Sequence, residues 1–192
     1  MWRDYTGRNV RFRGRQDMKA RIELRRFRES DLALIAAWAR QKEVWQAAMI
    51  GKYAPIQPND PAVRNWFAQH LRANEHAFVI ERASDAVPIG TVGFKRCADG
   101  EAEIEITIGE IAEWGKGYGK EALRMLLRRG FDEMKLNRIF GTVLRTNERA
   151  LAFYRALGFS ESPGPEAMIT VSINRVEYRA NLAAPVDRDK SA

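Results

Sequence analysis

The sequence predicts one mixed α/β domain, and three observations carry that expectation. Apolar residues alternate with period two in several short stretches. They recur at helical spacing in others. The two kinds interleave along the chain, separated by turn residues, in the order β-α-α-β-β-β-α-β-α-β-β with no internal repeat. At 192 residues, 45% hydrophobic and 10% aromatic, the chain is long enough to bury a sizeable core and too apolar for wholesale disorder.

The first strand is Arg21-Ile22-Glu23-Leu24-Arg25-Arg26-Phe27. Ser30 and Asp31 stand where a helix is capped, ahead of an apolar face of Leu32, Ile35, Ala36 and Trp38. A loop with Gly51, Tyr53, Pro55 and Pro58 follows, and Asp60-Pro61 opens a second helix carrying Val63, Trp66, Phe67 and Leu71. Ala77 to Ile80 and Val87 to Phe94 read as strands joined by a turn at Ser84-Asp85. Asp99-Gly100 is a two-residue hairpin signal leading into the alternating strand from Ala102 to Ile108. A glycine-rich turn then opens a helix with Ala122, Leu123, Leu126, Leu127, Phe131 and Met134 on one face. Arg138 to Leu144 is a strand and Glu148 to Leu157 a helix with Gly158 as its C-cap. Met168 to Ile173 and Val176 to Ala180 read as a closing pair of strands.

Composition excludes several classes. No uninterrupted apolar run suffices to cross a membrane as a helix, and no apolar block follows the N-terminal arginines as a secretory signal would require. The single cysteine, Cys97, excludes an internal disulfide and a thiolate-rich metal site. His70 and His76 have no metal-ligand spacing, so no metal is expected, and a reduced, cytoplasmic location is the default. The net charge of +7 arises within residues 1–28, and the remainder is balanced. A nucleic-acid partner would rest on that segment alone, and a solvated extension is the expectation. The chain therefore divides into a basic extension (1–19), a folded domain (20–182) and a polar tail (183–192).

The stretch Trp114-Gly115-Lys116-Gly117-Tyr118-Gly119-Lys120 lies between a strand and a helix. Glycines there let backbone N–H groups approach a ligand, and the helix N-terminus behind them favours an anion, so the pattern points to a diphosphate cradle. It is not a P-loop: Gly119-Lys120 is followed by Glu121, and position 114 is not glycine. Gly117, Gly119 and Ala122 fit a dinucleotide fingerprint formally, but the next strand, Arg138 to Arg145, contains no carboxylate for a ribose. Some thirty residues on stand Asn147-Glu148-Arg149-Ala150-Leu151-Ala152-Phe153-Tyr154 and Leu157-Gly158-Phe159.

Together these two stretches resemble the GNAT family of acetyl-CoA-dependent N-acetyltransferases over roughly residues 20–182. The first matches the fingerprint Arg/Gln-x-x-Gly-x-Gly/Ala except at Trp114. The second matches the Asn and the downstream Tyr in a helix ending Gly-Phe. The stretches Glu101 to Ile104 and Ile173 to Arg179 place the resemblance nearest the ribosomal-protein N-terminal acetyltransferases and the spermidine acetyltransferases. It implies the GNAT fold, a mostly antiparallel sheet of about seven strands flanked by four helices. It also implies acetyl-CoA as co-substrate and an acetyl transfer to a primary amine by direct attack, without a covalent enzyme intermediate.

Carried over by position, the resemblance gives the backbone of Gly115, Lys116, Gly117, Tyr118, Gly119 and Lys120 to the CoA diphosphate, with charge added by Lys116 and Lys120. Ile106, Thr107 and Ile108 would pair with the pantetheine like an added strand, one of their N–H groups polarising the thioester carbonyl. Asn147 would orient the pantetheine arm, although an asparagine there also caps a helix. Tyr154 would return a proton to the thiolate, against the plainer reading of a core aromatic. Glu103 and Glu105 share a strand face with Thr107, and either could serve as base through water, or simply face solvent.

Two departures stand out. Trp114 removes one polar contact to the cofactor. The segment Val44 to Tyr53 carries aromatics, Met and Lys with Glu43 as its neighbouring acid, where a polycation would require carboxylates. With Trp38 and Trp45 it would shape a pocket for a less charged amine, either a protein N-terminal α-amine or a small molecule. A homodimer is compatible with the resemblance. The rival expectation is a non-catalytic acyl-CoA-binding module of the same fold.

Overall fold

The computed structural model describes residues 2–3, 9–10, 20–28, 30–47 and 76–183. The expected helix from Asp60 lies outside the described residues. Trp2–Arg3 and Asn9–Val10 form a short antiparallel ladder. The body is a seven-stranded sheet: β1 (Ile22–Arg25), β2 (Ala77–Arg82), β3 (Pro88–Ala98), β4 (Glu101–Ile108), β5 (Arg138–Leu144), β6 (Ser160–Pro163) and β7 (Met168–Asn174). Their spatial order is β1-β2-β3-β4-β5-β7-β6. Every pairing is antiparallel except that of β4 with β5. The helices are α1 (Asp31–Ala39), α2 (Lys42–Ala47), α3 (Tyr118–Arg128), α4 (Glu148–Arg155) and α5 (Arg175–Ala183). This is the mixed, mostly antiparallel sheet expected, with five helices among the described residues instead of four.

The core forms where the period-two and period-3.6 patterns meet. Ala122, Leu123, Leu126 and Leu127 on α3 bury against Leu24, Ile80, Val92, Ile104 and Ile139 of the sheet. The helix continues through one wider turn, Arg129–Glu133, which keeps Phe131 inside. Gly130 permits this, because a Cβ there would fall 2.7 Å from Ile139 and 2.9 Å from Phe94. The Asp99-Gly100 turn forms as expected, both residues taking positive φ (53° and 77°), as a tight hairpin requires.

Two local expectations fail for identifiable reasons. Val176 to Ala180 is helical, not a strand. Asn174 Oδ1 accepts from the N–H groups of Val176 and Glu177 (both 2.9 Å), and Glu177 Oε2 accepts from Asn174 N–H (2.7 Å). That reciprocal cap starts α5 and overrides the strand-like pattern. The missing edge strand is instead β6, Ser160–Pro163, a fully exposed stretch without alternation, held by pairing with β7. At α1, Ser30 makes no side-chain cap; the buried Asp31 takes over, accepting from Arg28 N–H at 2.7 Å.

Asp31 also binds Arg25 through two bonds of 2.7 and 2.8 Å, and Arg25 reaches Glu81 on β2 with its third nitrogen. This bidentate pair fastens α1 to β1. Removing Asp31 costs those charged hydrogen bonds but leaves Arg25 paired with Glu81, a loss of about 1.5–3 kcal/mol. Asp31→Ala should therefore lower the urea unfolding midpoint by that equivalent, while the exposed ion pair Arg155–Glu161 can be deleted with about 0–1 kcal/mol of loss.

Candidate active site

The feature that organises the site is a parting of strands. β4 and β5 pair only through Glu101↔Arg138, Ala102↔Ile139 and Glu103↔Phe140. Beyond that both strands continue, β4 to Ile108 and β5 to Leu144, without pairing to one another. On its other side β4 stays bonded to β3 up to Gly90↔Ile108. Gly109 N–H donates to Ile89 O on β3 (2.9 Å), and the alternation of an antiparallel ladder turns the backbone groups of Thr107 the same way. The backbone groups of Ile106 and Ile108 therefore face the open wedge. Of the three residues expected to pair with an extended ligand, Ile106 and Ile108 turn their backbone away from β3, the Ile108 carbonyl meeting the Trp114 indole, and Thr107 is committed to β3.

The glycine turn sits at the mouth of this wedge. Gly117 lies at φ 84° as the N-cap of α3, a conformation that costs other L-residues about 1–2 kcal/mol. A Cβ at Gly115 would meet nothing within 4 Å, so the backbone is open to an approaching ligand. Gly119 is closed on its helix side, 3.4 Å from the ring of Phe153 of α4 measured from its would-be Cβ. An open backbone face beside a helix N-terminus suits a diphosphate.

Charged side chains hold the turn in place. Glu113, 5% exposed, accepts from Arg82 (2.6 Å) and from Lys116 Nζ (3.0 Å). The exposed Lys116 ammonium is thus paired with a buried carboxylate, whereas the exposed Lys120 has no carboxylate partner among the described residues. Arg21 binds Glu121 (3.1 Å), donates to the Lys116 carbonyl (2.9 Å) and stacks over Tyr118. Trp114 donates its indole N–H to Ile108 O (2.7 Å), and Arg149 lies over its ring at 4.1 Å. Sequence reasoning singled out neither Arg21 nor Arg149, whose contacts cross 95 and 35 positions of chain.

On the β5 side, Asn147 caps α4, its Oδ1 accepting from Ala150 N–H at 3.0 Å. Tyr154 is buried, with Phe153 and Phe159 edge-on against its ring. Burial alone pushes its phenol above the usual range, so the hydroxyl keeps its proton and can act as a donor but not as a base. Glu103 stands at the apex of the wedge, and it does not face solvent: it is 5% exposed, bound by Arg96 Nε at 2.9 Å, with Lys95 at 3.7 Å. A β-bulge between Phe94 and Arg96 places both cations against it. Glu105 is half-buried two residues along the same face. Trp38 is buried on the backbone at the end of β4, its ring where a Cβ of Gly109 would be, and its indole N–H has no partner among the described residues. The Trp45 side chain lies outside the described residues. No cluster able to hold a metal occurs among the described residues.

Residues 21–160 match the family model described as an acetyltransferase (GNAT) domain. An uncharacterized N-acetyltransferase, p20, of Bacillus licheniformis is 26% identical over 145 residues, which span 73% of this chain and 80% of that protein. Among solved structures, the spermidine N-acetyltransferase of Vibrio cholerae in complex with CoA and spermine superposes with a TM-score of 0.69 at 20% identity, covering 83% of this chain and 98% of that one. A GNAT-family acetyltransferase of Bacillus anthracis gives 0.69 at 21% identity, covering 82% and 96%.

The two glycines of the turn should separate on substitution. Gly117→Ala should cost about 1–2 kcal/mol in thermal or urea unfolding through backbone strain. Gly119→Ala, in α3 at ordinary contact distance, should be neutral or stabilising by up to about 1 kcal/mol. Because burial disfavours the Tyr154 phenolate in the native state, stability is fully present below pH ~10, the usual phenol value, and is lost as pH rises above it. Tyr154→Phe should flatten that alkaline decline in a melting series from pH 8 to 11.

Proposed function

The chain belongs to the GNAT acetyltransferase family, and on that premise we propose that it transfers the acetyl group of acetyl-CoA to a primary amine by direct attack. The observation that carries this reading is the wedge between β4 and β5 with the glycine turn at its mouth. An extended chain ending in a diphosphate fits both halves of that arrangement.

The backbone N–H groups of residues 115–120 would hold the diphosphate, and Ile106, with both backbone groups, and Ile108, with its N–H, would pair with the pantetheine amides as a further strand would, the Ile108 carbonyl being taken by the Trp114 indole. Asn147 borders the same wedge from the N-terminus of α4. An N–H of β4 near Ile106 would polarise the thioester carbonyl as negative charge develops on its oxygen. Acetyl-CoA supplies the acetyl group and departs as the thiol. The acceptor nitrogen forms the new C–N bond to the carbonyl carbon as the C–S bond breaks. Glu103 or Glu105, directly or through water, would take the proton the amine must lose, and Tyr154 would supply one to the departing sulfur. Glu103 performs that role only if Arg96 yields.

The Vibrio cholerae neighbour is named for spermidine, but the segment from α2 to Tyr53 of this chain carries aromatics and Lys with Glu43 as its acid. That composition favours a protein N-terminal α-amine or a less charged small amine over a polyamine.

The test is thiol release from acetyl-CoA across polyamines, small amines and N-terminal peptides. Tyr154→Phe should lower kcat by about 10²-fold or more with KM for acetyl-CoA unchanged. Binding of CoA without turnover on any acceptor would favour a binding module. Absence of CoA binding would overturn the proposal.

A further inference from the structure

Trp114 occupies the position where the fingerprint carries Arg or Gln, and the contact it makes is informative. Its indole N–H is bonded to Ile108 O, which fixes the ring plane at the end of β4, and the guanidinium of Arg149 lies over that plane at 4.1 Å. Trp114 follows β4 and Arg149 follows β5, the two strands that part, so the stack ties the open end of the wedge together. Stacking occupies the face of the guanidinium and leaves the N–H donors around its edge available for a planar, two-pronged contact.

The charges nearby differ in a way that selects Arg149. Lys116 is paired with Glu113 and Arg21 with Glu121; Lys120 is exposed without a carboxylate partner among the described residues, but it has no aromatic shelf to hold it, as Arg149 has in Trp114. Arg149 has no carboxylate partner among the described residues, and its neighbour Glu148 is bound to Arg155 instead. Arg149 also sits in the first turn of α4, where a cation opposes the helix dipole by about 0.3–1 kcal/mol. An aromatic shelf, no internal counter-charge and an unfavourable helix position together describe a cation kept for an external anion.

We propose that Arg149, held flat on Trp114, binds a phosphate of the acyl donor and so supplies from α4 the guanidinium that position 114 lacks. This rests on the CoA-binding reading above. The phosphate is either the 3′-phosphate or the diphosphate of CoA, and the shared chemistry is a bidentate contact from the guanidinium edge.

Calorimetric titration of the full chain with CoA and with 3′-dephospho-CoA tests it, using Arg149→Gln, Trp114→Leu and the double variant. Arg149→Gln should weaken CoA binding roughly tenfold or more, as for loss of a charge-assisted hydrogen bond. Trp114→Leu should weaken it in the same direction, with little further loss in the double variant. If the defect disappears with dephospho-CoA, the 3′-phosphate is the group read; if it persists, the diphosphate is. Turnover of S-acetylpantetheine, which carries no such nucleotide phosphates, should be unchanged by Arg149→Gln. An equal loss with that donor, or CoA affinity within twofold of the parent, would overturn the proposal. Failure of the unsubstituted chain to bind CoA would instead overturn the reading on which it rests.

Discussion

The structure depends on β4 and β5 being parallel neighbours that pair for three residues and then separate. A sheet interior ordinarily satisfies every backbone group on both sides of a strand, because an unmet N–H or C=O away from water is costly. Here β4 keeps β3 on one side and leaves Ile106 and Ile108 turned to an opening on the other. The parting places in the middle of the sheet a strand edge that β5 does not pair, where of the wedge-facing groups of Ile106 and Ile108 the Ile108 carbonyl is met by the Trp114 indole. An extended ligand with amides of its own is the partner such an edge suits.

Around that opening, charge pairs do the positioning. Glu113 gathers Arg82 and Lys116, and Arg21 reaches from the start of β1 to Glu121 and to the turn's own backbone. These contacts join the start of β1 to the loop that carries two positive-φ glycines, Gly115 and Gly117. They also pair Arg82, Arg21 and Lys116 with carboxylates, which leaves the backbone dipoles, Lys120 and Arg149 as the positive groups at the mouth without a carboxylate partner among the described residues. The bulge that turns Lys95 and Arg96 onto Glu103 has the opposite effect at the apex, where it ties up a carboxylate that the chemistry could use.

Much of this was legible in the sequence because it is local. Period-two strands, the α3 stripe, the Asp99-Gly100 hairpin and the glycine turn each declare themselves within a dozen residues. The failures are where local signals competed or were absent. Val176 to Ala180 alternates like a strand, but Asn174 and Glu177 form a reciprocal cap, and a cap of that kind was visible as Asn-x-x-Glu. β6 had no pattern to read, since an exposed edge strand is specified by its partner. Trp114 read as a lost contact because its stack on Arg149 joins segments 35 residues apart, and Glu103 was left between a base and a solvent-facing carboxylate because its burial depends on a bulge in a neighbouring strand.

Amide hydrogen exchange resolved to single residues, with and without CoA, tests the central claim most directly. The wedge account predicts that CoA slows exchange at Ile106, roughly tenfold or more, while Thr107, already committed to β3, changes little. Equal exchange at Ile106 in the two states, under conditions where CoA is bound, would contradict it.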